Sequence, residues 1–307
     1  MPTKYKSHRH NAASINKRPD LSKRYGVPFP VFNHDEGRRY WSLRYTFFTG
    51  MLYMDEFLNN QLGITDDMSR YMERLGWTKF SQMRFPIIGD WILEFFCTVR
   101  FTNKRRVRLS FRQEGEIFTF GCPELHSWFC FPPRDTIKRH PGRDMTSSDI
   151  WRMLTGFWRF NSKLAYNHSF CSNSMLYLLK FMCHSLFGRT FSSVVRDTDL
   201  YVLGDIFQGN AVDSSKILME GLVAASRSKD KKIGFGNIIC GIILGSKGTI
   251  DVPWSDDEFF PTIDYEFLER KRLVKRVFRA GPQFLSAPNV KLSCSFKLIV
   301  LRPEISR

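Results

Sequence analysis

The residues with most chemical promise form one glycine-rich stretch, Gly234-Phe235-Gly236-Asn237-Ile238-Ile239, continued by Gly241, Gly245 and Gly248 with Ser246-Lys247 embedded. Glycines leading into a helix can present backbone N–H groups to phosphate. The spacing here fits neither established version. A dinucleotide fingerprint needs its third glycine where Ile239 stands, and an ATP-binding loop needs Gly-Lys-Ser/Thr where the chain reads Gly245-Ser246-Lys247-Gly248-Thr249. No strand is evident ahead of it, so the stretch reads as an apolar helix whose glycines serve packing. No cofactor is expected.

The other constellations also fall short. His168-x-x-Cys171 and Cys183-His184 are the close Cys/His groupings, but adjacent helical residues point in different directions, so Cys183 and His184 do not readily face one ion. No metal site is expected. Asp256-Asp257 offer a carboxylate pair of the kind that holds catalytic metals, yet the flanking Pro253 and Glu258 oppose the buried hairpin that would aim them. Asp-Thr-Gly, Asp-Ser-Gly and Gly-x-Ser-x-Gly runs are absent. The expectation is a protein that is not an enzyme. Trp41, Trp77, Trp91, Trp128, Trp151 and Trp158 could stack on bases, though their helix-facing spacing points to the core.

Charge gives a partner class. The 307 residues hold 46 Lys and Arg against 30 Asp and Glu, a net charge of +16, which favours phosphate-bearing partners. With 43% hydrophobic and 25% charged residues the composition is that of a globular chain; the oddity is 29 Phe. Seven irregularly spaced cysteines without a C-x-x-C pair fit a reduced compartment. The start of the chain has no apolar signal region, and the apolar stretch at 234–245 is far shorter than the roughly 20 residues that span a bilayer. An intracellular protein, cytoplasmic or nuclear, with no membrane partner is expected.

The elements that would position these residues are mainly helical. Residues 1–40, basic and aperiodic with prolines at 2, 19, 28 and 30, read as a mobile arm that seeks phosphate or merely solubilises. Apolar residues recur at helical spacing over 41–62, 65–75 and 87–97, with Gly63 and Gly76 as stops. The period then changes to two. Val107, Leu109 and Phe111 alternate with Arg106, Arg108, Ser110 and Arg112, giving a β-hairpin at 105–120 whose solvent face carries Arg106, Arg108 and Arg112. Helices follow at 149–155, capped by Ser147 or Ser148, 174–187, capped by Ser172 or Asn173, 199–207, capped by Asp197 or Thr198, and 214–227, capped by Asp213. Residues 251–266 are acidic and mark a boundary. A basic helix is expected at 263–279 and a strand around 292–300. The fold class is mainly α with a β-hairpin insertion (α+β): a helical array at 41–250 behind a basic arm, then an acidic linker, basic helix and strand at 251–307.

A family resemblance rests on ordered motifs. Phe57-Leu58, Leu62-Gly63-Ile64-Thr65-Asp66-Asp67-Met68, Gly76-Trp77-Thr78-Lys79-Phe80, Leu93-Glu94-Phe95-Phe96 and Leu109-Ser110-Phe111-Arg112 resemble the first-open-reading-frame protein of Athila-type plant retrotransposons of the gypsy class. Asn161-Ser162-Lys163, Leu186-Phe187-Gly188-Arg189 and Asp199-Leu200 are similar to its later half. The resemblance covers about 41–245 and implies a gag-region packaging role, self-association and no active site.

The leading expectation is non-specific binding of RNA or DNA by phosphate contacts. The candidates are Lys4, Lys6, Arg9, Lys17 and Arg18 in the arm, Lys104, Arg105, Arg106 and Arg108 on the hairpin, and Arg270, Lys271, Arg272, Lys275 and Arg276 on the late helix. One alternative is a protein-interaction module that uses the acidic 251–266 segment; another is an element remnant without activity. A nucleotide-dependent enzyme using Lys247 ranks last.

Overall fold

In the computed structural model, residues 20–102, 108–132, 145–189, 193–228, 230–250, 260–271, 273–277 and 281–284 are described. The first part of the chain forms α1 (Ser22–Tyr25), α2 (His34–Leu43), β1 (Phe47–Phe48), α3 (Glu56–Gln61), α4 (Thr65–Leu75), α5 (Thr78–Gln82) and α6 (Gly89–Thr98). Then come β2 (Arg100–Thr102), β3 (Arg108–Gln113), β4 (Glu116–Phe120), α7 (Cys122–Trp128), α8 (Ser147–Thr155), α9 (Asn173–His184), α10 (Asp197–Gln208) and α11 (Ser214–Arg227). The last described elements are β5 (Lys232–Ile233), α12 (Gly236–Lys247), α13 (Tyr265–Arg270), β6 (Val274–Val277) and β7 (Gly281–Phe284). The fold is mainly α with a small antiparallel sheet in the order β2-β3-β4.

Short polar side chains set where helices begin. Asn33, Asp55, Thr146, Ser172, Asp213 and Asp264 each accept a backbone N–H from the first turn they precede, which satisfies a donor the helix cannot pair itself. Two of these caps, Ser172 and Asp213, sit where the sequence placed them. Helix α8 is capped instead by Thr146, and at α10 the buried Asp199 carboxylate accepts the backbone N–H of Arg196 at 2.9 Å.

The core centres on α9 and α12, which are buried on nearly every face. Phenylalanines fill the space around them: Phe80 packs against Phe129, Phe131 and Phe181, and Phe95 against Phe96 and Phe111. Many of the 29 Phe are therefore core material, and such ring pairs favour the edge-on and tilted contacts seen here.

Four expectations need correction. The periodic run over 41–62 is not one helix. Helix α2 stops at Leu43, the Phe47 N–H bonds Lys231 O at 2.8 Å and the Thr49 N–H bonds Ile233 O at 2.8 Å, pairing β1 in parallel with β5; Asp55 then opens a new helix. Backbone pairing with a distant strand overrides local periodicity. Within the arm, residues 20–40 are folded: Val27, Phe29 and Val31 bury with Cys97, and the Asp20 carboxylate accepts N–H bonds from Ser22 and Val31 at 2.8 and 3.0 Å.

Arg112 is not on a solvent face. Its Nη2 lies 3.0 Å from Glu36 Oε2, its Nε 3.8 Å from Glu94 Oε1, and its guanidinium donates to the Pro30 carbonyl and lies 4.5 Å from the Phe32 ring centre. The folded residues 29–36 cover this part of the sheet, so the alternating pattern meets protein on both sides. The fourth correction concerns 263–279, where the helix spans only Tyr265–Arg270; Lys275 and Arg276 lie on β6, paired with Gln283 and Pro282 of β7. The buried positions Ile263, Leu268, Leu273 and Val274 do not share one helical face.

Candidate nucleic-acid interface

The structure brings few of the sequence-selected cations together. Lys4, Lys6, Arg9, Lys17, Arg18, Lys104, Arg105, Arg106 and Arg272 lie outside the described residues, as do 251–259 of the acidic segment and the expected strand near 292–300. Arg108 is exposed on β3, with Nη2 2.8 Å from Glu124 Oε1. Arg270 donates from Nε to Glu266 O at 3.3 Å, and Lys271 Nζ lies 5.7 Å from the Phe267 ring centre. Lys275 and Arg276 occupy adjacent positions of β6.

The glycine-rich stretch is packed against protein. A strand, β5, does precede α12, contrary to expectation, yet the region at the helix N-terminus is occupied: the Gly236 N–H bonds Thr49 O at 3.0 Å, and Asn237 accepts the Met51 N–H at 2.7 Å while donating to the Phe85 carbonyl. A Cβ at Gly234 would stand 2.0 Å from Gly188 O, and one at Gly241 3.1 Å from both Phe85 and Phe129. Lys247 donates to Glu114 Oε2 at 2.7 Å and lies 4.9 Å from the Trp91 ring centre. These glycines allow close packing.

The two Cys/His groupings differ: His168 and Cys171 are exposed, whereas Cys183 and His184 are packed inside. Cys183 is buried, and loss of solvation pushes its thiol up to about 12. Burial holds His184 down to about 4, helped by the positive charges of Lys180 and Lys271. His184 meets the Phe267 ring edge-on, while His168 stacks on Tyr166. Among the described residues no group of three His, Cys, Asp or Glu could hold a metal ion.

The clearest polar-aromatic surface lies where α2, β1 and β5 meet. Helix α2 ends at Leu43, and the turn after it exposes Arg44 and Tyr45. The Arg44 guanidinium lies 3.5 Å from the Trp41 ring centre and 4.4 Å from that of Tyr45, while the Trp41 indole N–H bonds Tyr25 O at 3.1 Å. Trp41, Tyr45 and Phe47 are 46%, 80% and 63% exposed. Phe47 pairs across the ladder with Lys232, whose Nζ lies 5.9 Å from the Phe47 ring centre, and Lys231 is exposed beside it. Among the described residues no carboxylate forms an ion pair with Arg44, Lys231 or Lys232. The neighbouring Asp230 accepts the Ser228 hydroxyl at 2.7 Å.

Sequence reading missed this group because one helix over 41–62 would scatter Arg44, Tyr45 and Phe47 around its circumference. The usable signal was the basic run Arg227-Ser228-Lys229-Asp230-Lys231-Lys232 directly before the glycines. Of the tryptophans, Trp77 and Trp151 are core, whereas Trp41 and Trp158 are exposed and each carries an arginine, Arg44 or Arg152, over its ring.

Among the described residues no helix is long and apolar enough to cross a membrane. No curated protein and no solved structure matches the chain. The sequence pattern of the ATHILA ORF-1 family matches residues 39–209, from α2 through the end of α10. That stretch is more than half of the chain and includes the motifs from Phe57 to Asp199, so the protein belongs to the ATHILA ORF-1 family of retrotransposon proteins.

Proposed function

We propose that this protein is a non-enzymatic, gag-region component of a retrotransposon that binds RNA or DNA through its phosphates, with little dependence on sequence. The observation that carries the reading is the exposed cation group Arg44, Lys231 and Lys232, which has no carboxylate ion pair among the described residues, on a chain of net charge +16. Arg108, Arg270 and Lys271 add exposed positive charge elsewhere. Each cation that meets a phosphate releases condensed counterions, so affinity falls linearly on logarithmic axes as salt rises. Fluorescence anisotropy with two unrelated RNA sequences tests this: steep, parallel salt dependence supports it, and salt-independent or undetectable binding defeats it.

Self-association is the second part of the proposal. It is supported by the family membership and by exposed apolar side chains at Phe57, Phe157, Trp158 and Leu164. Light scattering of the full chain across protein concentration checks it, and a strict monomer at every concentration removes it.

A further inference from the structure

We propose that Tyr45 and Phe47 form a stacking platform for the unpaired bases of a single-stranded nucleic acid, with Arg44, Lys231 and Lys232 holding the adjoining phosphates. The inference rests on the phosphate-binding reading above and names the form of nucleic acid bound.

Three observations converge on it. The rings are open, at 80% exposure for Tyr45 and 63% for Phe47, whereas large aromatic side chains normally bury most of their area. They are also pre-ordered. Arg44 contacts both Trp41 and Tyr45, Trp41 is tied by its indole N–H to Tyr25 O, and the Phe47 N–H is bonded to Lys231 O at 2.8 Å. A pre-ordered ring loses less side-chain freedom when a ligand stacks on it. Finally, the cations interleaved with these rings lack carboxylate partners among the described residues.

A surface with flat apolar faces and positive charges at their edges matches a partner with flat π faces and negative charges along its edge. A single strand presents both, because its bases can leave their neighbours and stack on the protein. A duplex offers phosphates while its base faces stay covered by neighbouring pairs, so it can use Arg44, Lys231 and Lys232 but not the rings.

The test compares an oligouridine with a blunt RNA duplex of equal length, by anisotropy against salt, for the full chain and two variants. The expected result for Tyr45→Leu/Phe47→Leu is a loss of single-strand affinity of about tenfold for each stack removed, which is about 1.4 kcal/mol. Duplex affinity, salt slope and circular dichroism should stay unchanged. The Lys231→Gln/Lys232→Gln variant should weaken both substrates and flatten both slopes. A strand carrying 5-iodouracil should photocrosslink to Tyr45 or Phe47. Salt-dependent binding whose single-strand to duplex ratio is the same in wild type and Tyr45→Leu/Phe47→Leu would overturn the platform and leave the phosphate reading standing. Wild-type protein that binds neither substrate would overturn both.

Discussion

Replacing Arg112 with methionine should be among the most damaging single changes outside the aromatic core. The guanidinium is buried with Nη2 3.0 Å from Glu36 Oε2 and Nε 3.8 Å from Glu94 Oε1, and it also donates to the Pro30 carbonyl. Methionine fills much of the volume but leaves the buried Glu94 without the Arg112 cation and Glu36 with only the more exposed Arg100, 3.3 Å away. Removing one partner from a buried ion pair costs about 3–5 kcal/mol, against a whole-domain stability of about 5–15 kcal/mol. Burial already pushes the Glu94 carboxyl above the usual carboxylate range, with Arg112 opposing the shift, so loss of that cation should push it further. Urea unfolding followed by circular dichroism measures the loss. Adding Glu36→Gln should restore part of it, since the double variant no longer buries the Glu36 charge. Because Glu36 lies on α2, the same helix that carries Trp41, the substitution should also weaken nucleic-acid binding. A loss below about 1 kcal/mol, the level of an exposed pair, would show that this network does not hold residues 20–43 to the sheet.

Lys247→Met should cost no more than about 1 kcal/mol, because Lys247 makes a partly exposed pair with Glu114 and one cation–π contact; calorimetry should find no nucleotide binding to lose. Gly234→Ala should destabilise by about 1–3 kcal/mol in thermal or urea unfolding, since the new Cβ would stand 2.0 Å from the backbone oxygen of Gly188. His184 titrates at about 4 in the folded chain and at an ordinary 6.5 when unfolded, so the unfolded state binds the extra proton first. Its contribution to stability is whole above pH about 6.5 and is lost as pH falls towards about 4, by a few kcal/mol at most. Burial raises Asp205 to about 6, which works in the opposite direction, so the clean readout is the pH-dependent difference between wild type and His184→Gln.

Local signals were legible where a segment's neighbours in sequence are also its neighbours in space. Helix α4 and its left-handed stop at Gly76, the α6 stripe, the β3-β4 pairing and the Asp213 cap all follow from period and terminal residues. The failures share one cause. Phe47 and Phe48 look helical until β5, far along the chain, pairs with them; Arg112 looks exposed until residues 29–36 cover it; and the polar residues of 20–40 look mobile until Asp20 and Asn33 bond the backbone. These are tertiary contacts, which period and composition do not encode. The candidate interface was hidden for the same reason: Arg44, Tyr45 and Phe47 share a surface with Lys231 and Lys232 only because β1 and β5 are neighbours. Net charge pointed the proposal towards phosphate-bearing partners, but most of the cations first selected from charge runs fall outside the described residues.

The central claim is that Arg44, Lys231 and Lys232 bind phosphate, and the salt slope of single-strand affinity tests it most directly. Each phosphate contact contributes about 0.7 to that slope for single strands. Changing all three residues to glutamine should therefore flatten the slope by about two, with helicity retained. A slope equal to that of the wild-type chain would place the phosphate contacts elsewhere and contradict the account.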